Sequence, residues 1–355
     1  MSRFFSNTHD TLKAYTPGEQ PQDKKYIKLN SNESPFPPSP FSQRLSREVC
    51  GELQLYSDPT CNNLVKVASE VFNLKDDQIL FTNGSDEALA FIFLAFCDKE
   101  NSVVFPDITY GFYPVFANLF NIPYEEIKLD DDFKININDY KNIGKNIFIA
   151  NPNAQTGIAL KVEEIEEIVK SNMDNIVVID EAYVDFGNNS SISLIDKYDN
   201  IIVTQTLSKS RSLAGARLGV VFSNSDIIKD LNTIKYSFNP YNINKITMNA
   251  GIGALIDKEY FENNCNTIIS NREYLKAELR KMNFTVTDST SNFVLAKSDK
   301  KDGESLYKEL KEKGILVRHF DNERIKDYIR ITIGTKEQLD ILITALEEIL
   351  WEKLK

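Results

Sequence analysis

A succession of short runs in this chain is apolar almost throughout: residues 79–81, 102–105, 146–150, 175–180 and 201–203. A strand with one face in water alternates apolar and polar residues, whereas a strand covered on both faces does not. Segments with helical apolar spacing separate the runs, at 88–96, 112–120 and 162–171. Buried strands alternating with helices predict an α/β fold, a mainly parallel sheet sandwiched by helices. In such sheets ligands sit outside the carboxyl ends of the strands. Each run ends in polar residues. Gly84-Ser85-Asp86 comes after the first, Tyr110 after the second, Asn151-Pro152-Asn153 after the third, Asp180 with Tyr183 at the fourth, and Thr206, Ser208 and Lys209 after the fifth.

Two of these turns carry a specific signal. The chain at 83–87, NGSDE, is a glycine turn running into a helix N-terminus. Free backbone N–H groups and the positive end of the helix dipole make such a place bind phosphate. Ser85 or Asp86 would equally cap that helix in any protein. The second turn lies in TLSKSRSLAGARLG at 206–219, where Lys209 has a serine on each side and Arg217 lies downstream. Alone it is a solvated turn with a lysine on it as readily as a site. Its position on the same sheet edge as the other polar groups is what argues for chemistry.

The remainder of the chain frames that edge. Residues 1–30 are polar and hold Pro17, Gly18 and Pro21, an arm or short helix with a short strand at 26–29. Residues 30–40, NSNESPFPPSP, form a proline-dense loop that is neither helix nor central strand; it is either a rigid binding loop or a spacer. Residues 41–75 carry a helical pattern interrupted at 56–59, and strands are predicted at 124–129 and 216–222. After an aromatic turn at 236–241 come helices at 243–256 and 258–282. Short strands at 284–287, 292–296, 315–317 and 328–333, with helices at 303–313 and 336–351, suggest a smaller α/β domain. The expected division is an arm, 1–30; a large domain, 31–240; and a helical connection with a small domain, 241–355, packed with the arm.

Charge and composition exclude some classes. A net charge of −11 argues against nucleic acid or an anionic membrane as partner. No apolar run approaches the ~18 residues of a membrane helix, and the N-terminal MSRFFSNTHDTLKAY lacks the apolar core of a secretory signal. Cys50, Cys61, Cys97 and Cys265 are sparse and make no CxxC spacing, which fits a reducing cytoplasm. The two histidines, His9 and His319, give a metal site or a Ser-His-Asp relay little to work with, so no metal is expected.

A lysine amine, a buried carboxylate, a tyrosine and a phosphate cradle on one edge suit pyridoxal 5′-phosphate. Lys209 would bond the aldehyde covalently and later shuttle the proton between the substrate Cα and the cofactor C4′. Asp180 would pair with the pyridine nitrogen and keep it protonated. Tyr183 would donate to the ring oxygen and Tyr110 would stack on the ring. Ser85, Ser208, Arg217 and the backbone at Gly84-Ser85, with Asp86 and Thr206 beside them, would hold the phosphate.

The chain resembles the fold-type I pyridoxal-phosphate aminotransferases, and over its whole length the histidinol-phosphate aminotransferase family. The residues that carry the likeness are KLNSNESPFPPSP at 28–40, LYSDP at 55–59, NGSDE, YGFY at 110–113, NPNAQTG at 151–157, IDEAYVDF at 179–186, TLSKSRSLAGARLG, SNF at 291–293, GILVRHF at 314–320 and IRITIGT at 329–335. The resemblance implies a seven-stranded sheet and a homodimer with sites at the subunit interface. It implies that Tyr56 reaches the partner's cofactor phosphate, and that Arg318 and Arg330 bind the substrate phosphate and the carboxylate of glutamate or 2-oxoglutarate. It places Tyr15 and Asn32 over the substrate, which would be L-histidinol phosphate in histidine biosynthesis. For the arginines, planar guanidinium forks suit either anion. Surface pairing for the arginines and plain packing for Tyr56 and Tyr15 are the alternatives.

Two positions depart from the family pattern. Where the superfamily reads N-P-T-G, its asparagine bonding the ring oxygen, this chain has Ala154-Gln155 before Thr156-Gly157; Asn153, the nearest amide, is expected to serve instead. Arg211 stands where many relatives are uncharged, without an assigned role. A lyase reading, decarboxylation of threonine phosphate, keeps the fold and the lysine but resembles DEAF rather than the DEAY found here at 180–183. Aromatic amino acids are side substrates of a broader aminotransferase reading. A cofactor-binding regulator would need an attached DNA-binding domain, for which a chain resembling the family from before residue 30 leaves no room.

Overall fold

The computed structural model describes residues 2–9 and 12–351. Strand β1 (Ile27–Lys28) precedes helices α1 (Pro40–Glu48) and α2 (Asn62–Phe72). Then come β2 (Ile79–Thr82), α3 (Ser85–Phe96), β3 (Val103–Pro106), α4 (Phe112–Leu119), β4 (Tyr124–Ile127), β5 (Asn146–Ala150), α5 (Val162–Lys170), β6 (Val177–Asp180), β7 (Ile201–Thr206) and β8 (Gly219–Phe222). Helices α6 (Ser225–Phe238), α7 (Lys245–Ile256) and α8 (Lys258–Lys281) lead to β9 (Phe284–Val286), β10 (Phe293–Ser298), α9 (Gly303–Glu312), β11 (Ile315–Leu316), β12 (Arg318–His319), β13 (Tyr328–Thr332) and α10 (Lys336–Trp351).

The central sheet has seven strands in the order β2-β8-β7-β6-β5-β3-β4. All pair parallel except β8, which runs antiparallel to both β2 and β7. Alternation along each strand sends side chains to two separate cores. Phe148, Val178, Ile202 and Val221 pack on one face with Phe91, Ile92 and Phe93 of α3. Ile147, Ile149, Val177, Ile179, Ile201 and Val203 pack on the other with Leu64, Ile165, Ile168 and Met248 from α2, α5 and α7. Both faces are dry, which is why these strands are apolar at odd and even positions alike.

A second sheet, β12-β13-β10-β9, is antiparallel. Strand β1 joins β11 in parallel, with Ile27 beside Ile315, and so pins the arm to the C-terminal sheet region. The helical pattern over 41–75 resolves into α1 and α2 with an irregular stretch between them. That stretch is closed by Asp58, whose carboxylate accepts from the Thr60 and Asn62 N–H groups. Strand β8 starts three residues later than its apolar pattern suggests, because Ala214–Ala216 form a 3-10 turn and Arg217 is left-handed, with φ 57°. The first part of the aromatic segment at 236–241 is the last turn of α6.

Candidate active site

The floor of the site is set by strand register. Ala150, Asp180 and Thr204 are lateral neighbours at the carboxyl ends of β5, β6 and β7. The Asp180 carboxylate is buried and accepts from Tyr113 Oη at 3.1 Å and Thr204 Oγ1 at 3.3 Å. Burial pushes its pKa up to about 6, with the Tyr113 hydrogen bond pulling the other way. Tyr113 was not marked by the sequence; it sits one helical turn beyond Tyr110, on the face that α4 turns toward the sheet.

Lys209 lies just past β7, where the chain turns. Its Nζ donates to the Ser31 carbonyl at 3.2 Å and stands 5.9 Å from the centre of the Tyr183 ring. Burial, then the nearby Arg330 charge, lowers its pKa to about 8. An amine so placed is partly neutral near physiological pH, as a nucleophile or proton shuttle must be. Tyr183 Oη accepts from Asn32 Nδ2 at 3.1 Å, and Asn32 is itself fixed by Thr332 Oγ1 at 3.0 Å.

The opposite end is built by close backbone approach. Gly84, with φ 79°, caps α3, and the first turn of that helix presents Ser85 and Asp86. A Cβ on Gly219 would collide with the Gly84 carbonyl carbon and lie 2.5 Å from Ser85 N, so only glycine lets β8 pass the start of α3. Because β8 is reversed, Arg217, two residues before it, enters from the same edge as the residues that come after the other strands. Arg217 Nη2 donates to Asp86 Oδ2 at 2.9 Å, and Tyr110 Oη donates to Asp86 Oδ1 at 2.6 Å. Thr206 Oγ1 and Ser208 Oγ lie 2.9 Å apart.

Ser85, Asp86, Tyr110, Asp180, Tyr183, Thr206, Ser208, Lys209 and Arg217 line one cavity, together with Ala150, Ala154 and Ala182. The lining offers a phosphate cradle of N–H groups, hydroxyls and a guanidinium at one end, a buried carboxylate at the other, and an amine and two phenols between. That donor set fits pyridoxal 5′-phosphate, a flat heteroaromatic aldehyde with one phosphate.

Other expected residues lie beside the cavity or apart from it. Tyr15 stacks on Phe112 with ring centres 4.3 Å apart, and lies 6.3 Å from Tyr110. Burial raises its pKa, while Arg330 and Arg318 act to lower it, so all three share one neighbourhood. Arg330 donates to Ala154 O at 2.9 Å and Gln155 Oε1 at 3.1 Å. Arg318 donates to Pro17 O at 3.1 Å and Thr16 O at 3.0 Å. Tyr56 is 81% exposed and stacks on Tyr241 at 4.6 Å, away from this chain's own cavity. Asn153 does not line the cavity. Its amide is consumed by backbone: Nδ2 donates to Ile108 O in the loop after β3 at 2.7 Å, and Oδ1 accepts from the Gln155 and Thr156 N–H groups of its own turn at 2.9 and 3.1 Å. The residue that faces the cavity from this loop is Ala154. Arg211 also has a place: it donates to Ala254 O at 2.8 Å, and its guanidinium lies 3.8 Å from the centre of the Phe261 ring. It fastens the lysine loop to α7 and α8.

Residues 24–346 match the family model of aminotransferase class I and II. A histidinol-phosphate aminotransferase of Brachyspira hyodysenteriae is 48% identical over 352 residues, covering 99% of each chain. One from Clostridium beijerinckii is 45% identical over 351 residues, 99% of this chain and 98% of that one. The chain belongs to the histidinol-phosphate aminotransferase family. This aminotransferase superposes with a TM-score of 0.89 on the crystal structure of histidinol-phosphate aminotransferase from Sinorhizobium meliloti in complex with pyridoxal-5′-phosphate, covering 100% of this chain and 99% of that one. At 21% identity that likeness speaks to the fold.

Proposed function

We propose that this chain is a pyridoxal-phosphate-dependent transaminase that moves the amino group of L-histidinol phosphate to 2-oxoglutarate. The products are 3-(imidazol-4-yl)-2-oxopropyl phosphate and L-glutamate, a step of histidine biosynthesis. The observation that carries this reading is the Lys209 amine, held near pKa 8 in one cavity with the Asp180 carboxylate and a phosphate cradle. The family supplies the substrate.

When bound, pyridoxal phosphate supplies a sink for the electrons left at the substrate Cα. The residues do the rest. Lys209 would hold the cofactor through its aldehyde, and its amine, once released, would be the base placed to move the substrate's Cα proton. Asp180 would pair with the pyridine nitrogen and keep it protonated, a positive charge that would offset the burial disfavouring its own ionised form. Tyr183, oriented by Asn32, donates to the ring oxygen, and Tyr110 presents an aromatic face. The first turn of α3 at Gly84, Ser85 and Asp86, the hydroxyls of Ser85, Thr206 and Ser208, and Arg217 hold the phosphate. Arg318 and Arg330 take the substrate phosphate in one half-reaction and a carboxylate in the other, with Tyr15 covering the substrate.

A homodimer belongs to this reading. Leu53, Leu55, Tyr56, Phe238 and Tyr241 are exposed, an apolar surface that a second copy would cover while Tyr56 reaches the partner's cofactor phosphate. So does the division into an arm (1–30), a large cofactor domain (31–240) and a small domain (241–355), supported by the two separate main sheets. The enzyme would work in the cytoplasm, on small molecules. No described helix is long and apolar enough to cross a membrane.

The test is a paired assay. Purified holoenzyme should convert histidinol phosphate with continued turnover only when 2-oxoglutarate is present. Release of CO₂ from threonine phosphate, with no reaction on histidinol phosphate, would overturn the assignment in favour of the lyase.

A further inference from the structure

We infer that Gln155 is a positioning residue for Arg330, and that its neutral carboxamide keeps that guanidinium oriented yet unneutralised for the substrate anion. The inference rests on the reading of Arg330 as an anion receptor.

Two aromatic rings and three oxygen acceptors surround the guanidinium. The rings of Phe293 and Phe320 lie 5.1 and 5.2 Å from Arg330 Cζ and restrict its plane. Rotation within that plane is set at Nη1, which donates to Ala154 O at 2.9 Å and to Gln155 Oε1 at 3.1 Å. Nη2 reaches only the Asn30 carbonyl, at 3.4 Å. Nε is buried and has no acceptor among the described residues. The loop therefore occupies one corner of the guanidinium and leaves the Nε edge for another acceptor. Among the described residues Arg330 has no ion-pair partner. A half-buried cation with a buried, unsatisfied donor favours an incoming anion.

The orientation of the Gln155 amide is set by its other bond. Nε2 donates to Thr109 O at 3.2 Å, in the loop that carries Tyr110. The reverse orientation would set an amide N–H against the guanidinium and an oxygen against a carbonyl. Gln155 thus ties three places together: the turn whose neighbour Ala154 faces the cavity, the loop before Tyr110, and strand β13 of the second sheet. The chemistry of the side chain matters. An amide oxygen accepts a hydrogen bond without cancelling charge. A carboxylate at the same place would pair with Arg330 and compete with the substrate's own anion.

The experiment uses holoenzyme and a non-reacting dicarboxylate, maleate, titrated by the change in cofactor absorbance, alongside steady-state kinetics. Gln155→Glu should weaken maleate binding about tenfold or more, and raise KM for 2-oxoglutarate and histidinol phosphate by a similar factor, with kcat within about threefold of wild type. Gln155→Ala, which frees the guanidinium without neutralising it, should have a smaller effect, about three- to tenfold. Arg330→Lys is the control for the underlying reading. If Arg330→Lys loses maleate while both Gln155 variants bind it as wild type does, the Gln155 inference falls and the Arg330 reading stands. If Arg330→Lys also binds as wild type, the Arg330 reading itself falls. A loss of kcat in Gln155→Ala with unchanged KM and maleate affinity would likewise overturn the positioning role. Should Gln155→Glu fail to fold or to retain cofactor, the Gln155→Ala titration decides by the same criteria.

Discussion

Arg318 and Arg330 face each other directly across β12 and β13, two like charges in one cross-strand pair. Neither meets a carboxylate among the described residues: Arg318 is bonded to arm carbonyls, and Arg330 to Ala154, Gln155 and Asn30. Like charges placed this way repel by up to about 1 kcal/mol, a cost that a shared anion relieves. Arg318→Ala and Arg330→Ala should each raise KM for histidinol phosphate about tenfold or more, as loss of a charge-assisted bond implies. Inorganic phosphate should raise the melting temperature of wild-type protein more than that of either variant. Equal shifts in all three would remove the pair from anion binding.

Lys209 sets the pH dependence of cofactor capture. Only the neutral amine attacks an aldehyde, and Lys209 loses its proton near about 8 rather than at the ordinary lysine value of 10.5. The rate at which apoenzyme takes up pyridoxal phosphate, monitored by its absorbance, should rise about tenfold per pH unit below 8 and then level off. A rate still climbing at the same slope toward pH 10 would show an unshifted lysine. Lys209→Ala should lose the covalent absorbance band and about a thousandfold or more of turnover.

Asn153 predicts a separation of stability from cofactor chemistry. Truncation strands the Gln155 and Thr156 N–H groups and the Ile108 carbonyl, so Asn153→Ala should cost roughly 2–4 kcal/mol in denaturant unfolding. The pKa of the cofactor absorbance in the folded holoenzyme should stay as in wild type. A shifted absorbance pKa at unchanged stability would return Asn153 to the cofactor.

Glu181 adds a pH-dependent stability beside the site. It is buried, accepts from Ser190 Oγ, Ser191 N and Gln205 Nε2, and burial raises its pKa from 4.5 to about 7. The folded protein therefore holds a proton that the unfolded chain has released between about 4.5 and 7. This contribution is complete below 4.5 and is lost as pH rises through about 7, on the order of 2–3 kcal/mol. Glu181→Gln should flatten the fall in apoenzyme stability across that window. An unchanged slope would mean that other groups carry it.

Tyr56 tests the dimer. Tyr56→Phe should leave the sedimentation of a dimer unchanged while weakening pyridoxal phosphate binding about tenfold, the worth of one hydrogen bond to a charged acceptor. A monomeric wild-type protein would refute the interface. Unchanged cofactor affinity in the variant would place Tyr56 in packing against Tyr241 alone.

The sheet and its functional edge were legible in the sequence because burial on both faces leaves a mark that needs no partner to read. A run such as 146–150 is apolar at odd and even positions, and the polar residue after each run marks where the strand leaves the core. Asp180, Lys209, Tyr110 and the Gly84-Ser85 turn all obey that rule. Arg217 precedes its strand instead. It reaches the same edge because β8 is reversed, and strand direction depends on pairings between distant segments.

Sequence by itself thus determined the fold class, the edge that carries the chemistry and the family. Tertiary structure decided how individual side chains are used there. The two amides at 153 and 155 are near neighbours in the chain, yet one closes its own turn and ties it to Ile108, while the other reaches Arg330, well over a hundred residues away. Arg211 and Arg217 flank one turn, but Arg211 is fastened to α7 and α8 while Arg217 meets Asp86. Hydrogen-bonding capacity is a property of the residue, but which acceptor lies within about 3 Å is a property of the packed chain.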